Sequence, residues 1–99
     1  MMTDANNPAA VRARISVSGR VQGVGYRAFT VRAATERGLV GGVRNCEDGR
    51  VQLEAEGPRD RIVSLIEALK AGPPASRVTD VQVEWLPATG RRVDFEVWY

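Results

Sequence analysis

The sequence predicts an α+β fold in which an antiparallel sheet carries two helices on one face. Three observations predict it. Several segments alternate apolar and polar residues with a period of two, the mark of a strand wet on one side. Two segments between them turn helical in composition or spacing. Their order is strand–helix–strand, then strand–helix–strand again, with a short strand added at the end.

In the first strand Val11, Ala13, Ile15 and Val17 alternate with Arg12, Arg14, Ser16 and Ser18. A loop with three glycines follows. From about Arg27 to Arg37 the composition is helical, and Gly38 is a C-terminal stop. Phe29 and Ala33 share a face with Tyr26, which should point at the sheet. Leu39 to Cys46 reads as the second strand. Asp48-Gly49 is a hairpin turn signal, and Val51, Leu53 and Ala55 mark the third strand. Gly57-Pro58 breaks that strand, with Pro58 near the first turn of the next helix. Ile62, Leu65, Ile66 and Leu69 follow helical spacing, and Val63 widens the apolar stripe. Gly72-Pro73-Pro74 ends the helix. Val81, Val83 and Trp85 suggest the fourth strand. Val93, Phe95, Val97 and Tyr99 alternate with Asp94, Glu96 and Trp98 in the fifth. The order is that of the ferredoxin-like split βαβ plait, βαββαβ. Residues 1–10 read as a disordered tail and residues 11–99 as one domain.

Composition narrows the chemistry. The chain has 99 residues and a net charge of +2. Thirteen of its 14 basic residues are arginine, scattered among acids, which gives no block for a polyanion. Cys46 is the only cysteine and there is no histidine. This excludes an internal disulfide, a Cys/His metal site and any histidine acid, base or nucleophile pair. No apolar run approaches the ~20 residues of a membrane span. The first ten residues lack the basic and apolar pattern of a signal peptide, so the expected compartment is the cytoplasm.

One stretch stands apart: Ser18-Gly19-Arg20-Val21-Gln22-Gly23-Val24-Gly25-Tyr26-Arg27. Glycine permits positive φ and close approach of a ligand to the backbone. Successive N–H groups in such a turn, followed by a helix N-terminus, suit an anion. Arg27 adds a planar, permanently charged fork matched to phosphate oxygens. By spacing alone a phosphate site and an ordinary strand-to-helix connection weigh about equally.

That stretch resembles the loop motif of the acylphosphatase family. Gly41-Gly42-Val43-Arg44-Asn45, then Asp48-Gly49-Arg50-Val51 and Gly57, is similar to the family's second motif, and Phe95-Glu96-Val97-Trp98-Tyr99 to its C-terminal strand. The resemblance implies hydrolysis of acyl phosphates, R–CO–O–PO₃²⁻, to carboxylate and inorganic phosphate without metal or organic cofactor. By the same likeness Arg27 binds the phosphoryl group with backbone N–H groups of Arg20, Val21, Gln22, Gly23, Val24, Gly25 and Tyr26. Asn45 holds and orients the attacking water. Two positions depart from the pattern: Tyr26 stands where the family usually has phenylalanine, and Gly42 where it prefers a bulky aromatic.

This reaction suits a chain without histidine. The leaving carboxylate has a conjugate acid of pKa about 4 and departs unprotonated. Phosphoryl transfer is mainly positioning and electrostatics, within reach of one arginine and backbone amides. A carboxamide has a donor and an acceptor, so Asn45 can fix a water by two contacts. Gln22 reads as a brace for the loop. Cys46 reads as a small buried hydrophobe, and Glu54 and Glu56 as solvated. Trp98 shares strand parity with Asp94 and Glu96, on the uncovered face.

Other functions set against this are a nucleic-acid module of the same architecture, a non-catalytic phosphate-binding module, and a domain of a larger maturation protein. Strands one and three offer no aromatics for stacking bases, against the first. Chain length argues against the last. The expected partners are therefore an acyl phosphate substrate and phosphate product, with no nucleic acid and no membrane, in a monomer.

Overall fold

The structure is a computed structural model that describes residues 10–99. In chain order the elements are β1 (Ala10–Arg20), α1 (Tyr26–Glu36), β2 (Val40–Asn45), β3 (Val51–Pro58), α2 (Arg59–Ala71), β4 (Arg77–Pro87) and β5 (Phe95–Val97). The sheet order is β4-β1-β3-β2-β5. The first four strands pair antiparallel, as the plait requires. β5 joins β2 in parallel, with Gly41 opposite Phe95 and Val43 opposite Val97, so the sheet as a whole is mixed.

Period-two patterning sets the two faces. Ala13, Ile15 and Val17 of β1, Val51, Leu53 and Ala55 of β3 and Val43 of β2 point under the helices and are buried. Ile62, Leu65, Ile66 and Leu69 of α2 meet them. α1 packs over β2 and β5, and α2 over β4, β3 and β1. The opposite face is open. There Glu54 pairs with Arg12 at 3.1 Å and Arg14 at 3.3 Å, and Arg14 also reaches Glu84 at 3.3 Å.

Several boundaries move. Ala10 is not part of a tail: it begins β1, is buried, and pairs with Pro58. Residues 1–9 of that expected tail lie outside the described residues. Gly57-Pro58 does not break β3, because β1 is long enough to pair through both. Pro58 instead caps α2 from an extended conformation. Val63 does not widen the buried stripe, since its position on α2 leaves it 44% exposed. β5 is shorter than the alternation suggests: Val93 is 89% exposed and outside the strand.

Residues 88–94 carry the chain from β4 at one edge of the sheet to β5 at the other. They pass the end where β3 finishes. There Glu56, buried rather than solvated, accepts from the amides of Thr89 (3.0 Å) and Gly90 (2.6 Å) and from the Thr89 hydroxyl (3.0 Å). Burial by itself would raise the Glu56 pKa. The three donors and the Arg12 charge outweigh it and hold the carboxyl below its ordinary value. No helix among the described residues is long and apolar enough to cross a membrane.

Candidate active site

The glycine loop links β1 to α1. Gly25 is the N-cap of α1 with φ 79°, ψ 18°, a left-handed conformation that costs a residue with a Cβ about 1–2 kcal/mol. It reverses the chain tightly enough for Arg27 to fall in the first helical turn. Gly23 is left-handed as well, with φ 74°. α1 has no side-chain cap and no acidic residue in its first turn. Its N-terminal partial charge is therefore not offset locally, and Arg27 adds to it. Among the described residues, none of the amides from residue 22 to residue 28 has a hydrogen-bond acceptor, the first helical bond running from Phe29 N–H to the Gly25 carbonyl at 3.0 Å.

Two side chains anchor this loop. Gln22 donates from Nε2 to the carbonyls of Cys46 (2.8 Å) and Arg50 (2.9 Å). It thus ties the loop to the turn after β2, as a brace would. Tyr26 is buried and donates its hydroxyl to the Leu69 carbonyl at 2.7 Å. In α2 that carbonyl would otherwise receive the amide of residue 73, which is proline and has none. The added hydroxyl of Tyr26 therefore closes the end of α2. Burial pushes its pKa up, so the phenol stays neutral.

Asn45 is the last residue of β2, opposite Val51 on the helix side of the sheet. Its Oδ1 is buried and has no hydrogen-bond partner. A buried acceptor without a donor costs about 1–3 kcal/mol, which a fold retains where a ligand or water supplies the donor. Asn45 and Arg27 line one cleft of about 280 Å³ with Val21, Gly23, Gly25, Tyr26, Ala28, Val97 and Tyr99. Arg27 is half-buried and carries no ion pair among the described residues. The cleft thus has a cationic, donor-rich wall beside an orphan acceptor, and an apolar remainder.

Of the residues expected at the site, Arg27, Asn45, Val21, Gly23, Gly25 and Tyr26 come together here. Arg20, Gln22 and Val24 do not line the cleft. Arg20 ends β1 and pairs with Arg77, Gln22 turns to the β2–β3 connection, and Val24 packs against the core. Ala28, Val97 and Tyr99 were not foreseen. Strand alternation puts Val97 and Tyr99 on the covered side, but only the parallel docking of β5 on β2 brings them beside Asn45. Cys46 is half-buried rather than enclosed, because β2 ends before it. Gly42 lacks a side chain because the Trp98 indole already lies over it.

A family model described as acylphosphatase matches residues 13–97. The acylphosphatase of Anaeromyxobacter dehalogenans (strain 2CP-C) is 48% identical over 87 residues, which cover 88% of this chain and 94% of that protein. The crystal structure of acylphosphatase from Bacillus subtilis superposes with a TM-score of 0.87 at 44% identity, covering 90% of this chain and 99% of that one. The structure of an acylphosphatase from Coxiella burnetii gives 0.88 at 37% identity, covering 99% and 100%.

Proposed function

The chain belongs to the acylphosphatase family and is an enzyme of it, and from that premise we propose how its residues carry out the hydrolysis. The phosphoryl end of R–CO–O–PO₃²⁻ sits against Arg27 and the free amides at the start of α1. The guanidinium and N–H groups neutralise charge on the equatorial oxygens as the transition state loosens. Asn45 holds a water by its carboxamide, with the orphan Oδ1 accepting a water O–H. Water oxygen attacks phosphorus, and the bond from phosphorus to the acyl oxygen breaks with its electron pair leaving on the carboxylate. The proton of the water passes to a phosphoryl oxygen. The products are carboxylate and dihydrogen phosphate, and no general acid is needed because the leaving group is a weak base.

One observation carries this reading: Arg27 and Asn45, eighteen positions apart in sequence, line the same cleft beside amides without acceptors. The non-catalytic alternative rested on Gly42, and Trp98 now supplies an aromatic ring at that place. The reading includes a metal-free and cofactor-free reaction by a monomer in the cytoplasm.

The test is hydrolysis of benzoyl phosphate by purified protein without added metal. Arg27→Ala should lose inhibition by inorganic phosphate along with activity. Asn45→Ala should keep that inhibition while turnover falls about 10²–10³-fold. Unaltered rates in both variants would refute the mechanism.

A further inference from the structure

A hollow of about 380 Å³ opens on the uncovered face of the sheet, beside the connection from β4 to β5. Its size falls in the range of small-ligand pockets, about 300–1,000 Å³. Arg12, Arg91 and Arg92 line it, with the carboxylates of Glu54 and Glu56 and the indole of Trp98. Sequence scatters these arginines, and the crossing connection gathers them. Arg27 and Asn45 line a different cleft, on the side of the sheet that carries the helices.

Acceptors in this hollow are already engaged. Glu56 accepts from the Thr89 and Gly90 amides and the Thr89 hydroxyl. Glu54 gives one oxygen to Arg12 and the other to Arg14, which lies outside the lining. Donors remain to spare. Among the described residues the Arg91 guanidinium meets no acceptor, and that of Arg92 meets only the Trp98 ring, 4.8 Å from its centroid. Arg12 uses Nε on the Pro87 carbonyl and Nη1 on Glu54, which leaves Nη2 without a partner among those residues. A space with engaged acceptors and spare N–H groups suits a ligand that brings acceptors alone. Guanidinium forks match phosphate oxygens, two bonds at a time. One phosphate is too small to engage all three. We propose that this hollow is a second anion site, for a chain of two or more linked phosphates, separate from the cleft that holds Arg27. The stacking of Arg92 on Trp98 sets one fork in place before the ligand arrives and so reduces the cost of ordering it. Such a chain can be inorganic or can carry a nucleoside.

The experiment is calorimetric titration of the Arg27→Ala protein with tripolyphosphate, ATP and inorganic phosphate, without metal. That background takes the other cleft out of competition. Tripolyphosphate should bind and change the tryptophan fluorescence, and Trp98→Phe should abolish the change. Arg91→Gln combined with Arg92→Gln should weaken binding roughly tenfold. Arg32→Gln combined with Lys70→Gln removes equal charge from exposed helix positions and should alter binding by less than about twofold. Inorganic phosphate should bind roughly tenfold more weakly than tripolyphosphate. ATP binding more tightly than tripolyphosphate marks a nucleoside-linked ligand, and ATP binding no more tightly marks the phosphate chain alone. No binding in the Arg27→Ala protein would overturn the site, since every anion would then belong to the other cleft. Equal losses in the two double variants would also overturn it, leaving net charge as the cause. So would inorganic phosphate that binds as well as tripolyphosphate. Hydrolysis of benzoyl phosphate should be unchanged in the Arg91→Gln, Arg92→Gln protein with Arg27 intact.

Discussion

The indole of Trp98 occupies the space that a side chain at Gly42 would fill: a methyl group there would overlap the ring at Cδ2, Cε2 and Nε1. Gly42 does not have positive φ, so its role is close approach and not backbone freedom. The Arg92 guanidinium lies over the same indole, 4.8 Å from the ring centroid. A ring thus fills the space at position 42 from Trp98, the residue after β5.

Gly42→Phe should therefore destabilise the protein by about 1–3 kcal/mol through overpacking. The cost should shrink in a Trp98→Ala background, where the new ring takes the vacated place. Urea denaturation of the four proteins in this cycle measures the coupling. Additive effects would show that the two positions do not share one space.

Tyr26→Phe tests the closure of α2. The Leu69 carbonyl would lose its donor, and Pro73 cannot replace it. A loss of about 1 kcal/mol is expected in urea denaturation, with the m-value unchanged. Because burial raises the phenol pKa, the loss should be the same from neutral to mildly alkaline pH.

Gln22→Ala removes the donor to two carbonyls at once, freeing the loop from the turn that follows Asn45. Stability should fall by about 1–2 kcal/mol, and kcat/KM for benzoyl phosphate should fall with it. Gln22→Glu should be worse than Gln22→Ala in both measurements, since it sets a carboxylate against two acceptors.

Glu56 gives the protein an acid-sensitive contact. Its pKa is lower in the folded chain than in the unfolded one, so ionised Glu56 stabilises the fold above the ordinary glutamate range. That contribution is lost as pH falls through the depressed folded value. Glu56→Gln should cost about 1.5–3 kcal/mol at pH 7, the range for hydrogen bonds to a charged group. The gap between variant and wild type should close as pH drops below about 4.3, the ordinary glutamate value, in urea denaturation across pH.

The sequence patterns foretold the plait well because each strand keeps one face wet. Ile15, Leu53 and Val43 reach the core by alternation alone, and Ile62, Leu65 and Leu69 by helical spacing. The loop and Arg27 were legible from glycine chemistry, and the pairing of Arg27 with Asn45 from likeness to a family. What stayed hidden depends on contacts distant in sequence. Glu56 alternates as a wet residue should, yet a connection 33 residues later covers it. Gly42 read as a missing side chain, since nothing local reveals the indole above it. Tyr99 could not be placed at the cleft before the direction of β5 was known, because an antiparallel strand would carry it to the other end of the sheet.

The route from β4 to β5 sets a length tolerance. Four interstrand steps of about 4.8 Å amount to roughly 19 Å. From Pro87 to Phe95 the backbone can reach about 27 Å when fully extended, and Glu56 holds it partway. Losing one residue there leaves about 24 Å, still enough to cross. Which face β5 buries is set by its own alternation, Phe95 inward and Glu96 outward, and not by the length of the connection. The connection should therefore accept a single deletion away from Thr89 and Gly90 and reject one that removes either, since Glu56 holds the chain through those two residues.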